Sequence, residues 1–380
     1  MDPELVRKYA APVPRYTSYP TAPHFSAAIG HAQYAAWLAD LPAASRLSLY
    51  VHVPFCQKLC WYCGCTTKAT RRYEPVAGYL RTLLAEIANV SALLGPKHTV
   101  DHIHWGGGSP NILAAADIAR LGEALRAYFR VSADAEIAVE IDARFLTDEQ
   151  AAAFKQAGVN RVSFGVQDFD EAVQHAINRR QGYDLTARAV EMIRKQAITA
   201  INVDLVYGLP QQTLESLQRT IAQVLTLQPD RIAVFGYAHL PTRLKHQRLI
   251  DGDALPDGLQ RFQQAAFIAD ELERTGYVRI GLDHFARPGD PLAQAKARRN
   301  FQGYTTDHTD ALIGLGASAI GRLPQGYVQN ATTTGDYTRG IRERGLATAR
   351  GLRLSEQDRV RGHVIERLMC DLEFDGRQLE

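Results

Sequence analysis

Short apolar runs rich in β-branched residues recur at 47–53, 100–105, 136–141, 161–166, 201–207 and 231–237. They read as strands. Between them the apolar positions change to helical spacing. Tyr79, Leu80, Leu83, Leu84 and Ile87 share one face, and Ile118, Leu121, Leu125 and Phe129 share another. Thr147-Asp148-Glu149-Gln150 has the pattern of a capping box, opening a helix that ends near Gly158. A further helix spans 214–227 and is closed by Pro229. Strands alternating with helices predict parallel βαβ units, and right-handed crossovers curl such a sheet with its helices outside. Six units predict an α/β fold, a partial (β/α)6 TIM-like barrel, with a full eight-stranded barrel as the alternative. In either case reactive groups belong at the carboxyl ends of the strands.

The flanking parts are less regular. Residues 1–45 form an N-terminal extension with prolines at 3, 12, 14, 20, 23 and 42 and a short helix over 31–41. The barrel is expected over 46–250, followed by an α/β segment at 251–350 that covers it. That segment carries a helix over 255–275 and the Gly-rich run 314–321. Residues 351–380 read as the start of a helical C-terminal domain, with Val360, Val364, Ile365 and Leu368 turned inward.

Composition narrows the classes. Lys plus Arg is 43 and Asp plus Glu is 41, a net charge of +2 that gives no nucleic-acid footprint. The local run Lys296-Ala297-Arg298-Arg299 reads first as a solvated face and second as an anion site. No apolar stretch reaches the 18 residues of a membrane span. The start, Met1-Asp2-Pro3-Glu4, is acidic and unlike a secretory signal, so a cytoplasmic protein is expected.

Of five cysteines, four crowd at 56, 60, 63 and 65, and the fifth is Cys370. A disulfide framework would spread them. In a reducing compartment this crowding points to metal or catalysis. Cys56, Cys60 and Cys63 have the spacing C-x3-C-x2-C directly after the first strand. Thiolates are the preferred ligands of iron–sulfur clusters. Three of them on four irons leave one iron open to a small molecule. The rival is a closed zinc site completed by Cys65 or His52.

Other candidates sit at later strand ends. Gly106-Gly107-Gly108-Ser109-Pro110 allows close backbone approach to a ligand, although a plain loop is the more common explanation of such a triplet. Glu140 ends the third strand, either to pair with a ligand ammonium or as an ordinary capping or surface acid. Asp204 lies in an apolar run, where an unpartnered acid is costly, so a paired or functional role is favoured. Gln167 and Arg179 follow the fourth strand, and Arg179 alone reads as a surface residue.

The cysteine spacing with an aromatic residue before the last cysteine resembles the radical S-adenosylmethionine (SAM) superfamily. Longer motifs narrow this. Arg15-Tyr16-Thr17-Ser18-Tyr19-Pro20-Thr21, the stretch 47–56, Cys63-Gly64-Cys65 and His104-Trp105-Gly106-Gly107-Gly108 are four of them. Gly165-Val166-Gln167-Asp168, Asp283-His284-Phe285-Ala286-Arg287-Pro288 and Asn300-Phe301-Gln302-Gly303-Tyr304-Thr305-Thr306 complete the set. Together they resemble the oxygen-independent coproporphyrinogen III oxidases, from about residue 9 to residue 373.

The resemblance implies conversion of coproporphyrinogen III to protoporphyrinogen IX in haem biosynthesis. Two propionates are decarboxylated to vinyl groups by a SAM-derived 5′-deoxyadenosyl radical. It implies a [4Fe–4S] cluster on Cys56, Cys60 and Cys63 and two SAM molecules. Tyr50, Gly107, Glu140 and Ile320 would contact the cluster-bound SAM. Tyr62, Gly108, Ser109, Gln167, Arg179, Asp204 and Ala238 would contact the second, with Ser109 where the superfamily motif has Glu. Cys65 matches a family cysteine that is not a cluster ligand. The expected partners are the porphyrinogen and an electron donor such as flavodoxin or ferredoxin, serving a monomer.

Arg15, Arg287 and Arg299 are candidates for the substrate carboxylates. Relatives continue past Leu372-Glu373-Phe374, so a truncated chain is expected. The competing readings are a haem-binding chaperone of the superfamily, a radical SAM enzyme acting on haem, and a zinc-stabilised scaffold. The chaperones usually lack the Cys-x-Cys, Arg-Tyr-Thr-Ser-Tyr-Pro and Asn-Phe-Gln-Gly-Tyr-Thr-Thr stretches found here.

Overall fold

The computed structural model describes residues 3–9, 19–301 and 303–379. Arg15, Tyr16, Thr17, Ser18 and Gln302 from the motifs above lie outside the described residues. Six parallel strands follow one another as expected: β1 (Arg46–Val53), β2 (Thr99–Gly107), β3 (Val131–Ile141), β4 (Arg161–Gln167), β5 (Ala200–Tyr207) and β6 (Arg231–Gly236). The crossovers carry α1 (Glu74–Leu94), α2 (Ala115–Tyr128), α3 (Asp148–Gln156), α4 (Tyr183–Lys195) and α5 (Leu214–Thr226). β3 starts before its apolar run because Val131 pairs with Val100, and a register shift carries the pairing past polar Ser132 and Asp134.

Alternation along β1 sorts its two faces. Leu47, Leu49, Val51 and Val53 join Tyr79, Leu80, Leu83 and Ile87 of α1 in the main core. Each such aliphatic side chain is worth about 1.5–3 kcal/mol on burial. The capping box of α3 forms as expected. Gln150 N–H donates to Thr147 Oγ1 at 3.2 Å, and Thr147 N–H to Gln150 Oε1 at 3.1 Å.

The barrel stays open, so the eight-stranded alternative fails. Past β6 the sheet turns antiparallel through β7 (Val278–Ile280) and β8 (His284–Ala286). At its other edge β9 (Ala311–Leu315) lies parallel to β1. The antiparallel strands β10 (Ile320–Leu323), β11 (Gly326–Asn330) and β12 (Thr348–Arg353) follow. Among the described residues the sheet has 12 strands, in the order β12-β11-β10-β9-β1-β2-β3-β4-β5-β6-β8-β7. The Gly-rich run is the turn between β9 and β10. Gly316 there has φ +100°, and a Cβ on it would stand 2.5 Å from the His52 carbonyl oxygen.

Three further helices cover this frame: α6 (Gly258–Arg274), α7 (Thr334–Arg344) and α8 (Glu356–Asp371). In α8, Val360 and Leu368 are exposed, contrary to expectation, while Arg367 and Cys370 are buried. Polar contacts set its rotation. Arg367 donates to Ala297 O at 2.9 Å and to Asp371 at 2.8 Å.

Candidate active site

The carboxyl ends of the barrel strands open on one cavity of about 400 Å³. Its wall includes Cys56, Cys60, Cys63, Cys65, Tyr62, Gly107, Gly108, Ser109, Glu140, Gln167, Arg179 and Asp204. Residues far apart in the chain thus meet because each follows, or ends, a neighbouring strand.

The cysteine loop is pinned from both sides. Phe55–Cys56 pairs in parallel with Lys68–Ala69 at its base. Trp61 N–H donates to Ile177 O at 3.0 Å, Asn178 Nδ2 to Leu59 O at 2.9 Å, and Gln247 Nε2 to Tyr62 O at 3.0 Å. The described cysteines are all free thiols. Cys60 Sγ accepts from Arg179 Nη1 at 3.4 Å and Arg144 Nη2 at 3.5 Å. Cys56 Sγ lies 3.2 Å from Thr67 Oγ1, and Cys63 Sγ accepts from the Cys65 N–H at 3.4 Å. Burial pushes the Cys56 thiol up to about 11. Hydrogen bonding from Cys65 is the largest influence drawing Cys63 down to about 6.

This donor set fits an iron–sulfur cluster. Among the described residues no three His, Cys, Asp or Glu side chains converge tightly enough to hold a single ion. Three cysteines on one short loop are the kind of donor an iron–sulfur cluster takes. His52, the rival zinc ligand, is engaged at both ring nitrogens. Nδ1 is 2.9 Å from Tyr50 Oη, and Nε2 is 3.1 Å from Thr66 O.

The glycine triplet makes room. Gly107 has φ +110°, and a Cβ there would meet the His52 ring at 2.7 Å. A Cβ on Gly108 would stand 2.4 Å from Phe55 O. Ser109 is buried, its hydroxyl donating to Asn111 Oδ1 at 2.7 Å. Gln167 takes the left-handed φ of +71° at the end of β4.

Both acids face the cavity. Glu140 is neither a helix cap nor a surface acid. It accepts from His104 Nε2 at 2.9 Å and from the Gly107 N–H at 3.3 Å. It is enclosed by protein yet wetted from the cavity, with 40% of its side chain exposed there. Burial works against its charge, but His104 and the Gly107 N–H hold its carboxyl below the usual range. Asp204 accepts from Ser163 Oγ at 3.2 Å, and burial, then the Glu140 charge, raises it to about 7. Arg179 is buried, contrary to its surface reading, because Cys60, the Gly165 carbonyl and Asp142 surround its guanidinium.

Three expected contacts do not line the cavity. Tyr50 stands behind His104, with ring centroids 5.9 Å apart. Ile320 begins β10, and Ala238 lies in the loop after β6, its carbonyl accepting from Gln247 at 3.2 Å. Arg287 is also away from the site, at the amino ends of the strands, where it donates to Pro229 O at 3.0 Å. Arg299 is buried in a neighbouring cleft.

Sequence reasoning assigned no role to Asp142, Arg144 or the cavity floor. Asp142 binds Arg144 at 2.6 Å and Arg179 at 3.6 Å. On the floor Arg161 and Arg231 face Glu136 and Asp290, at 2.8–3.7 Å. The available signal was a set of charged and amide residues on one face of β3 to β6, Glu136, Arg161, Asn202, Asp204 and Arg231, within otherwise apolar runs.

A model of the radical SAM superfamily matches residues 50–224. The oxygen-independent coproporphyrinogen III oxidase of Bradyrhizobium diazoefficiens is 54% identical over 96% of this chain and 82% of its own length. That of Paracoccus denitrificans is 46% identical over 99% and 84%. The solved coproporphyrinogen III oxidase of Escherichia coli, described as a radical SAM enzyme, superposes with a TM-score of 0.93. It is 40% identical, over 99% of this chain and 86% of that one.

Proposed function

The chain belongs to the oxygen-independent coproporphyrinogen III oxidase family of the radical SAM superfamily, and from that membership we infer that it decarboxylates coproporphyrinogen III to protoporphyrinogen IX. The observation that carries this reading is the meeting of three free thiols with the glycine turn and Glu140 in one cavity. The cofactors are a [4Fe–4S] cluster and SAM. With one electron from a reductant, they would supply the radical chemistry needed to remove a hydrogen from an unactivated propionate carbon.

The chain's own residues bind, orient and neutralise. Cys56, Cys60 and Cys63 are the proposed cluster ligands, and Arg144 and Arg179 beside Cys60 offset thiolate charge. Gly107 and Glu140, which line the cavity, are the proposed contacts of the first SAM, with Tyr50 and Ile320, outside that wall, proposed from the family likeness alone. For Glu140 the attraction is an anionic carboxylate meeting an ammonium. Tyr62, Gly108, Ser109, Gln167, Arg179, Asp204 and Ala238 are the proposed contacts of a second SAM. The substrate is a porphyrinogen, and among the described residues no helix is long and apolar enough to cross a membrane. A cytoplasmic monomer fed by a flavodoxin- or ferredoxin-like donor completes the proposal; the crowding of four cysteines suits a reducing compartment.

The test is anaerobic reconstitution of the cluster, followed by dithionite, SAM and coproporphyrinogen III. Protoporphyrinogen and carbon dioxide are the expected products. Haem binding without SAM cleavage would replace this reading with the chaperone.

A further inference from the structure

We propose that the cleft between α8 and the Arg298–Asn300 hairpin strand is a carboxylate site, in which Arg299 and Arg322 grip a non-reacting side chain of the tetrapyrrole. The inference rests on the function above and names where part of that substrate is held. Coproporphyrinogen carries four propionates, and one reacts at a time. The others need cationic partners outside the reacting position.

Inside the barrel each cation already faces an acid, although Arg144, Arg179 and Arg231 each keep one nitrogen without a hydrogen bond among the described residues. Arg144 and Arg179 serve Asp142 and Cys60. Arg161 and Arg231 are paired with Glu136 and Asp290. The neighbouring space differs. Asn300 and Thr305 line both the barrel cavity and an adjoining hollow. Arg298, Arg299, Arg322 and Glu366 line both that hollow and the cleft under α8, which has a volume of about 260 Å³. A continuous surface therefore leads from the barrel cavity to the arginines.

Arg299 is built for a ligand. Its side chain is only 4% exposed, yet its Nε and Nη1 have no hydrogen-bond partner among the described residues. The plane of the group is fixed by the Tyr304 ring, 4.3 Å below it, and Asp283 Oδ1 stands 3.8 Å from Nη1. The side chain of half-buried Arg322 has no hydrogen bond or ion pair among the described residues. The acids of the cleft are already occupied. Glu366 takes Arg298 at 3.3 Å and Arg367 at 3.8 Å, and Asp358 caps α8 through Ser355. Asp283 offsets part of the Arg299 charge, so the excess is carried by Arg322 and by the open edge of Arg299; it is positive and planar, which suits a carboxylate.

The test uses the full chain with its cluster reconstituted, comparing wild type with Arg322→Gln, Arg322→Lys and Arg299→Lys. Cluster absorbance and melting temperature monitor folding. In Arg322→Gln the KM for coproporphyrinogen III is expected to rise on the order of tenfold or more, kcat falling less, with Arg322→Lys recovering part of the loss. The released share of the tricarboxylic monovinyl intermediate should rise too. A second measurement needs no turnover: fluorescence titration with coproporphyrin III against its tetramethyl ester. Wild type should prefer the acid, and Arg322→Gln and Arg299→Lys should lose that preference.

Variants that keep wild-type KM, product ratio and acid preference overturn the cleft while leaving the decarboxylase reading intact. Variants that change only by losing cluster and melting temperature overturn it as well, since the arginines then serve the fold. A wild-type chain that splits SAM without making protoporphyrinogen, but prefers the acid through these arginines, keeps the cleft and removes the proposed reaction.

Discussion

Two clusters of buried polar groups, one on the cavity side of the sheet and one on the helix side, are treated oppositely. Around the cavity, Arg179 Nε, Arg144 Nη1 and Gln181 Oε1 are buried without a hydrogen-bond partner among the described residues. On the helix side, Glu86 of α1 is fully buried and saturated. It accepts from Tyr337 Oη at 2.7 Å, Gly316 N–H at 2.6 Å and Asn330 Nδ2 at 2.6 Å. Tyr79 then links the Gly316 turn to β1, receiving Ala317 N–H at 2.9 Å and donating to His52 O at 2.7 Å. A saturated network fixes geometry, whereas an unsaturated one leaves capacity for a ligand. The first holds the turn and His52 in place, and His52 in turn packs against Gly107 and hydrogen-bonds Tyr50.

The largest effect belongs to the unsaturated side. In Cys60→Ser a hydroxyl replaces the thiolate that Arg144 and Arg179 address. Cluster assembly is expected to be lost, with visible absorbance and iron content near background. Full cluster content in that variant would remove Cys60 from the ligand set. The fold should persist, because the core does not depend on that sulfur.

A smaller change probes the boundary between the two behaviours. Gly108→Ala forces a Cβ to within 2.4 Å of Phe55 O and 2.6 Å of Thr67 Oγ1, the hydroxyl beside Cys56. Neither the strand end nor the glycine turn can yield freely, so a loss of about 1–3 kcal/mol is expected. Iron per chain should fall in step with melting temperature. An unaltered iron content would mean that the cysteine loop tolerates displacement at its base.

The parts legible in the sequence were those governed by local periodicity or by short spacing. The six strands, the α3 capping box and the cysteine triplet each need fewer than a dozen residues to be recognised. Long-range placement was not legible. Nothing near Arg179 in the sequence announces Cys60 or Asp142, so it read as a surface residue. Arg287 read as a substrate ligand by residue type alone, but the antiparallel pairing of β8 with β6 carries it to the amino ends of the strands. Glu86 sits on an otherwise apolar face, and its partners come from residues 316, 330 and 337. Such a residue is invisible until β9 docks against β1.

Glu86 gives the smallest and sharpest test. Burial, opposed by its three donors, raises its carboxyl from the usual 4.5 to about 7. Below pH 4.5 both folded and unfolded chains hold the proton and the full stability is present. As pH climbs towards 7 the unfolded chain ionises first while the folded one keeps its proton, so stability is lost with rising pH. The whole window is worth about 3 kcal/mol. Glu86→Gln cannot titrate and should erase that slope. Its amide nitrogen also faces the Asn330 donor, at a cost of about 1–3 kcal/mol. The variant is therefore expected to be clearly weaker than wild type at pH 5 and closer to it at pH 8. Denaturant midpoints across that range decide the matter. Parallel curves would mean that the folded carboxylate stays charged throughout. The three donors would then outweigh burial, and saturation alone would set the helix side apart from the cavity.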